Sequence, residues 1–476
     1  MAGSITGATG QPALTPSASK ATLPNNYLTS AEFTWLQQYL PDTYEKEFER
    51  YGNRSINAFL RMVGAELPTN SDLIKWEEQG RLHTKYEGVT TTTNDGDATA
   101  TLAITAHNLR VGQTILISDG TPGSSASNKA IVTAASNAND VDVAYYEAGG
   151  QAVGMKASTN IIVFVYGSEF NKGANGMDGS LEADPNIFQN KPIIIKDKYI
   201  VSGSDMAQIG WVEVTSENGA SGYLWYIKSE HETRQRFDDY LEMAMIEGVP
   251  AESIAGGAAA NSGVSLLSAT GQLGNQGTDG MFYTIENQGN VWSGGNPTAL
   301  ADFDAIIQRL DKQGAIQENV LFVNRQMGFD IDDMLAAQNS YGAGGTSYGL
   351  FDNDEEMALN LGFSGFKRGY EFYKSDWKYL NDATLRGGLV GGAVNGVLVP
   401  AGTMNVYDQV LGKNARRPFL HVRFRASETE DRRYKTWITG SAGGASTDDF
   451  DGMKVNFLSE RALCTMGANN FFIFKS

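Results

Sequence analysis

Residues 219–248 read GASGYLWYIKSEHETRQRFDDYLEMAMIEG, and the fold turns on them. After Gly222 the stretch holds neither glycine nor proline until Gly248, with Pro250 just beyond. Ser221 stands where a capping hydroxyl belongs, and Gly248 supplies a stop. The spacing predicts one helix over residues 221–247, about 40 Å long at 1.5 Å per residue. Tyr223, Leu224, Tyr226 and Ile227 give apolar surface at one end, and Phe237, Leu241, Ala244 and Met245 at the other. Between them, Lys228 to Arg236 is charged and polar. A helix inside a compact core would not stay polar for so long. The pattern predicts a spine across a thin domain, gripped at both ends, its middle exposed or against another subunit.

Upstream, Thr29 with Glu32 forms a capping box for a helix through Leu40, and Ile56, Phe59, Leu60 and Val63 continue helical spacing to Gly64. The period then falls to two: Leu82, Thr84 and Tyr86 alternate with Arg81, His83, Lys85 and Glu87. From Gly88 to Tyr166 short runs rich in Thr, Val and Ile alternate with turn signals such as Asp119-Gly120 and Gly149-Gly150, which predicts an all-β module. Lys191 to Tyr199 returns to strand character. The simplest reading is a long hairpin, residues 66–87 outward and 190–215 back, with the β module at its tip. Such a ribbon cannot bury itself and needs a neighbouring surface.

Downstream, Gly280–Gln288 reads as a short helix and Thr298–Leu310 as a longer one capped by Thr298. Asn319–Val323 is a strand feeding a helix over 324–336, the mark of an α/β subdomain. Strands follow at 363–372, 396–399, 404–407, 419–425, 434–439, 454–457, 462–466 and 470–474.

Composition narrows the function. With 55 acidic against 37 basic residues the net charge is −18, which argues against neutralising phosphates over a broad surface. A hydrophobic fraction of 41% is that of a globular chain. One cysteine, Cys464, excludes an intrachain disulfide, and its apolar flanks read as a buried structural thiol. No basic leader with an apolar run and no membrane span is expected, and residues 1–26 read as a flexible arm. His83, His107, His231 and His421 lie in different elements, so no zinc pair forms; His421 is expected to be solvated or at an interface. GAGGTSYG at 342–349 lacks a dinucleotide fingerprint and reads as a mobile loop. Acidic clusters complete no calcium loop and select no catalytic pair. Neither a catalytic residue, nor a cofactor, nor a metal is expected. Mixed charge runs densely from Arg423 to Lys435, with Lys413, Arg416 and Arg417 before it. The run reads either as a solvated hairpin end or as a subunit interface of cross-chain ion pairs that set register. The candidate intersubunit contacts are Arg81, Lys85, Lys196, Lys198, Arg416, Arg417, Arg423, Arg425, Arg432 and Arg433.

The order of arm, helix, long hairpin, spine helix, α/β subdomain and late strands resembles the major capsid proteins of tailed bacteriophages, the Hong Kong 97-type fold, over nearly the whole chain. The resemblance implies an α+β fold with seven parts. These are an N-terminal arm (1–30), N-terminal helices with the outgoing strand of an extended loop (31–87), and an inserted all-β domain (88–166). Then come the returning limb (167–215), the spine helix and peripheral domain (216–295), an axial domain (296–410) and closing strands (411–476). Lys191–Asp205, KPIIIKDKYIVSGSD, and Gly222–Lys228 with Asp239–Met243 are similar to capsid proteins of crAss-like and related podovirus-type phages.

What the resemblance implies is a virion shell protein assembled in the host cytoplasm. It would partner itself in hexamers and pentamers and meet other head proteins such as the portal, scaffolding or decoration proteins. It would enclose double-stranded DNA without sequence-specific binding and touch no membrane. The rivals are an encapsulin-like cargo shell and a secreted glycan-binding or hydrolytic protein.

Overall fold

A computed structural model describes residues 59–60, 66–135, 137–180, 185–207, 214–215, 221–222, 225–251, 275–314, 316–339, 364–408, 413–442 and 447–475, with backbone alone at 214–215, 221–222, 225–227, 336–339, 404–408 and 413–415. The arm, most of the N-terminal helices and the 342–349 loop lie outside these residues.

Two strands come first, β1 (Glu66–Thr69) and β2 (Ile74–Gln79). Six more follow: β3 (Lys85–Thr91), β4 (Thr99–Ala103), β5 (Gln113–Asp119), β6 (Ser127–Ala134), β7 (Asp140–Tyr145) and β8 (Ile161–Ser168). They close into a barrel in the order β3-β4-β7-β6-β5-β8. Alternation is the cause: in β4 every second side chain is buried, so one face fills the interior. Leu102, Ile115, Ala130, Val141, Val143, Ile161 and Val163 make a core that the barrel shares with no other described part of the chain. Closure leaves this sheet no edge. Residues 81–84 are not strand; β3 begins at Lys85, and Leu82 is exposed.

The hairpin is shorter than the sequence predicts. β9 (Pro185–Asn190) pairs antiparallel with β2, from Ile74 opposite Asn190 to Gln79 opposite Pro185. β10 (Ile193–Ser202) leaves that ladder and pairs with residues 452–461, while β1 pairs in parallel with residues 422–425. Burial decides it, since β10 places Ile195 and Tyr199 in an apolar cluster under the long helix.

β11 (Val214–Thr215) and β12 (Ser221–Gly222) form a two-residue bridge. Ser221 is therefore in a strand and caps no helix; helix α1 runs from Trp225 to Glu247. Gly248 follows it because of close approach: a Cβ there would lie 2.7 Å from the Ala244 carbonyl oxygen and 2.8 Å from that of Thr278. The middle of α1 is not exposed, the first of the two places expected for it. Lys228 and Thr233 are buried, His231 and Glu232 half-buried, and only Arg234 and Arg236 face water. The helix lies along β10, so its polar middle meets sheet rather than solvent. Thr233 satisfies its hydroxyl on the Ser229 carbonyl at 2.9 Å.

The second body contains helices α2 (Met281–Gln288), α3 (Leu300–Gln313) and α4 (Arg325–Asn339) with strands β13 (Asn290–Trp292), β14 (Glu318–Val323), β15 (Gly365–Arg368), β16 (Tyr370–Asp376) and β17 (Val394–Pro400). The Asp302 carboxylate, rather than Thr298, caps α3 by accepting the Thr298 and Ala299 N–H groups at 3.1 Å. β18 (Thr403–Asp408) and β19 (Lys413–Pro418) pair with each other. β20 (Leu420–Arg425), β21 (Lys435–Gly440), β22 (Gly452–Thr465) and β23 (Phe472–Lys475) complete the chain. One sheet runs β1-β20-β22-β10 with β21 also on β22; the other runs β13-β23-β17-β14-β16-β15. Consecutive strands β22 and β23 thus sit in different sheets, and Phe471 to Phe474 between and within them are fully buried.

Phe237 of α1 is fully buried, with ring centroids 5.6 Å from Phe457 and 5.4 Å from Tyr434. Phe237→Ala is expected to destabilise this sheet by about 3–5 kcal/mol. The measurement is the denaturant midpoint at which the buried Cys464 thiol becomes reactive; an unshifted midpoint would show that this contact does not hold the helix.

Candidate functional site

The cation-rich segment around β20, β21 and β22 gathers most of its charges into ion pairs. Chain register brings it together: Arg423 and Arg425 alternate along β20, which pairs with Arg461 and its neighbours on β22. Glu460 is buried at the centre. Its carboxylate meets Arg425 Nε at 3.1 Å and Arg432 Nε at 2.7 Å. Arg425 also reaches Asp72, and its Nη1 donates to the Asn70 carbonyl at 3.1 Å. Arg433 pairs with Glu66 and lies 5.7 Å over the Phe424 ring. Arg461, buried, lies 3.5 Å from Glu66 and donates from Nη2 to the Arg433 carbonyl at 3.1 Å. Glu430 takes Lys435 at 2.8 Å, and Lys435 and Arg432 hold its carboxyl below the usual range. These contacts join β1, β20, β22 and the turn before β21 within one chain. Their placement fixes register, because removing one partner would strand another charge in a partly dry site.

The other candidates sit apart. Arg81 is exposed ahead of β3, and Lys85 pairs with Glu87. Arg416 is exposed and Arg417 half-buried on β19. Arg423 Nη1 donates to the Pro68 carbonyl at 3.3 Å. Lys196 and Lys198 project from the outer face of β10 and form no ion pair among the described residues. Sequence reasoning missed the acids that organise the cluster, Glu66, Asp72 and Glu460. The legible signal was Ser459-Glu460-Arg461 inside the otherwise apolar run from Phe457 to Cys464: adjacent opposite charges in a buried run ask for partners.

A cleft of about 640 Å³ lies between α1 and this sheet, lined by Glu66, Asp238, Glu242, Asp431, Arg433 and Arg461 among others. Buried Glu242 accepts the Phe59 N–H at 2.7 Å. Burial, with Asp238 beside it, pushes the Tyr434 hydroxyl up. Among the described residues that line the cleft there is no histidine, serine or cysteine. Among the described residues no three His, Cys, Asp or Glu side chains gather as metal ligands.

His421 is not solvated, the first of the two places expected for it. It is buried on β20 opposite Cys464, with Nδ1 3.2 Å from the Pro418 carbonyl oxygen. Burial, with Arg423 and Arg417 nearby, lowers its pKa to about 4. Cys464 is buried as its flanks suggested, its thiol pushed up to about 12 by burial.

No protein-family model matches the chain, and no curated protein matches it. The chain is similar to solved structures from phages and to the capsid of a GTA particle. A structure from Gordonia phage Cozz shares 7% identity at a TM-score of 0.41, covering 96% of this chain and 98% of that one. One from Microbacterium phage Oxtober96 shares 9% identity at 0.39, covering 94% and 98%. The capsid of a native GTA particle, computed with C5 symmetry, shares 9% identity at 0.36, covering 94% and 98%. TM-scores below 0.5 decide nothing about function, which rests on the geometry above.

A His421 pKa near 4 folded against 6.5 unfolded means that the unfolded chain takes the proton first as pH falls. The neutral histidine's contribution is fully present above pH 6.5 and lost between 6.5 and 4, about 3 kcal/mol in all. His421→Asn is expected to flatten that part of the curve of denaturant midpoint against pH. An equally steep curve in the variant would assign the acid sensitivity elsewhere.

Proposed function

We propose that the chain is a shell subunit: a major capsid protein of Hong Kong 97 type, from a tailed phage of the crAss-like or podovirus kind, forming hexamers and pentamers around double-stranded DNA. The observation that carries the reading is the β2–β9 ribbon. It is six residue pairs long, and it joins a body of two welded sheets to a barrel with its own core. One face of the ribbon rests on its own subunit, where Ile74 and Trp76 pack against Ala462 and Cys464. The other carries Lys75, Glu77 and Gln79 beside Ile187, which is 60% exposed. A two-stranded ribbon is marginal by itself and gains from a second surface. A neighbouring copy supplies one in a repeated shell, where each contact recurs over every subunit. Arg81, Lys85, Lys196, Lys198, Arg416 and Arg417 are the cations placed to meet such neighbours. The net charge of −18 keeps packed DNA from adhering to the wall.

One observation favours the glycan-binding alternative: Tyr146, Phe164, Tyr166 and Phe170 are all exposed on or beside the barrel.

Light scattering and negative-stain microscopy of the purified protein test the shell reading. Closed shells or capsomer rings are expected. Deleting residues 1–26 is expected to reduce assembly while leaving subunit unfolding unchanged. A monomer that persists at high concentration and binds glycans would replace the shell reading with its rival.

A further inference from the structure

We propose that the open edge of β10 receives an extended acidic peptide from another protein chain as an added strand. β10 is ten residues long and ends its sheet; among the described residues no strand pairs with its far side. Half of its backbone N–H and C=O groups therefore point away from β22, in the arrangement that strand addition uses. The outer face reads Ile194, Lys196, Lys198, Ile200, with the isoleucines 53% and 44% exposed.

Charge selects the occupant. Across the sheet Lys196 faces Leu458 and Lys198 faces Asn456, so neither lysine meets an acid on β22. The nearest acid on that face, Glu460 opposite Ile194, is committed to Arg425 and Arg432. Lys454, opposite Ile200, is held by Asp448 at 2.8 Å. Among the described residues, complementary charge for Lys196 and Lys198 is left to the open side. The two lysines stand about 7 Å apart along the strand, the spacing of alternate side chains on a paired strand. The bland alternative is that edge lysines simply prevent pairing. That role has no use for two exposed isoleucines flanking the charges, whereas a strand with acids at its centre and apolar residues at its ends meets all four side chains. The same lysines would repel basic strands.

The proposal does not depend on the shell reading, and the full chain tests it. The probes are a short synthetic peptide alternating glutamate with valine, with isoleucine at both ends, and its counterpart with lysine for glutamate. Calorimetric titration is expected to show binding of the acidic peptide alone, weakened by salt and by at least about tenfold in Lys196→Glu/Lys198→Glu. That variant is expected to accept the lysine peptide instead. Amide exchange is expected to slow along residues 193–202 when the acidic peptide binds. Should the double variant fail to fold, Lys196→Gln and Lys198→Gln singly give the same comparison at smaller effect. No binding of the acidic peptide, equal binding to wild type and variants, or protection away from β10 overturns the proposal.

Discussion

Everything in the body hangs on the buried hydrogen-bonded strand β22. It pairs with β10 along one side and with both β20 and β21 along the other. Nearly all of its side chains are buried. A strand with neighbours on both edges has no freedom of register, because a one-residue slip would exchange its two buried faces and carry Glu460 and Arg461 away from their partners. The chain then passes Gly467, whose left-handed backbone (φ 62°) makes the bend, and enters β23 in the second sheet. The Gly467 N–H also donates to Glu78 on the ribbon at 2.8 Å. One continuous segment therefore sets the sheet under α1, the sheet of the second body and the root of the ribbon.

Charge around that strand separates into two kinds. Glu460 and Arg461 lie inside the fold, and their partners come from β1, β20 and the turn before β21. Ion pairs so placed specify register more than they add stability, since dehydrating both partners offsets much of the attraction. Lys196 and Lys198 lie outside it, on an edge. The fold satisfies the first kind itself and leaves the second to whatever approaches.

The sequence made the helix and strand inventory largely legible, because periodicity marks strong elements wherever apolar residues choose one face. The barrel strands and α2, α3, β14 and β23 fall where alternation or helical spacing put them. What stayed hidden was partner choice. A strand pattern at 190–202 says that Ile195 and Tyr199 face one way; it does not say whether the ladder partner is residue 70 or residue 457. Polarity misled in the same way. Lys228 to Arg236 looked exposed or turned to another subunit because the stretch is polar, yet a helix laid on a sheet buries part of its circumference whatever it carries, and Thr233 adapts by bonding its own backbone. His421 looked exposed for the same reason, and its β20 position beside Cys464 places it inside. The cation cluster was visible as composition, but its acids, at residues 66, 72 and 460, are brought together only by the fold.

The division between a welded body and a tethered barrel follows from where the cores stop. The barrel's buried apolar residues form a cluster of their own and close a sheet with no edge, so among the described residues they add nothing to the body's apolar clusters. The body's first cluster, by contrast, draws on α1, α2, β17, β20, β22 and the segment before β23. Between them stands the ribbon, anchored at its root by Asn190. That side chain donates to the carbonyls of Leu463 and Asp279 and accepts from Thr278, Asp279 and Lys191. A buried amide with every position filled fixes a direction as well as a contact. The ribbon's root is thus rigid where it leaves the body. Orientation of the barrel is then governed by a short ladder and not by a shared core, which suits a part that meets other molecules while the body keeps its shape.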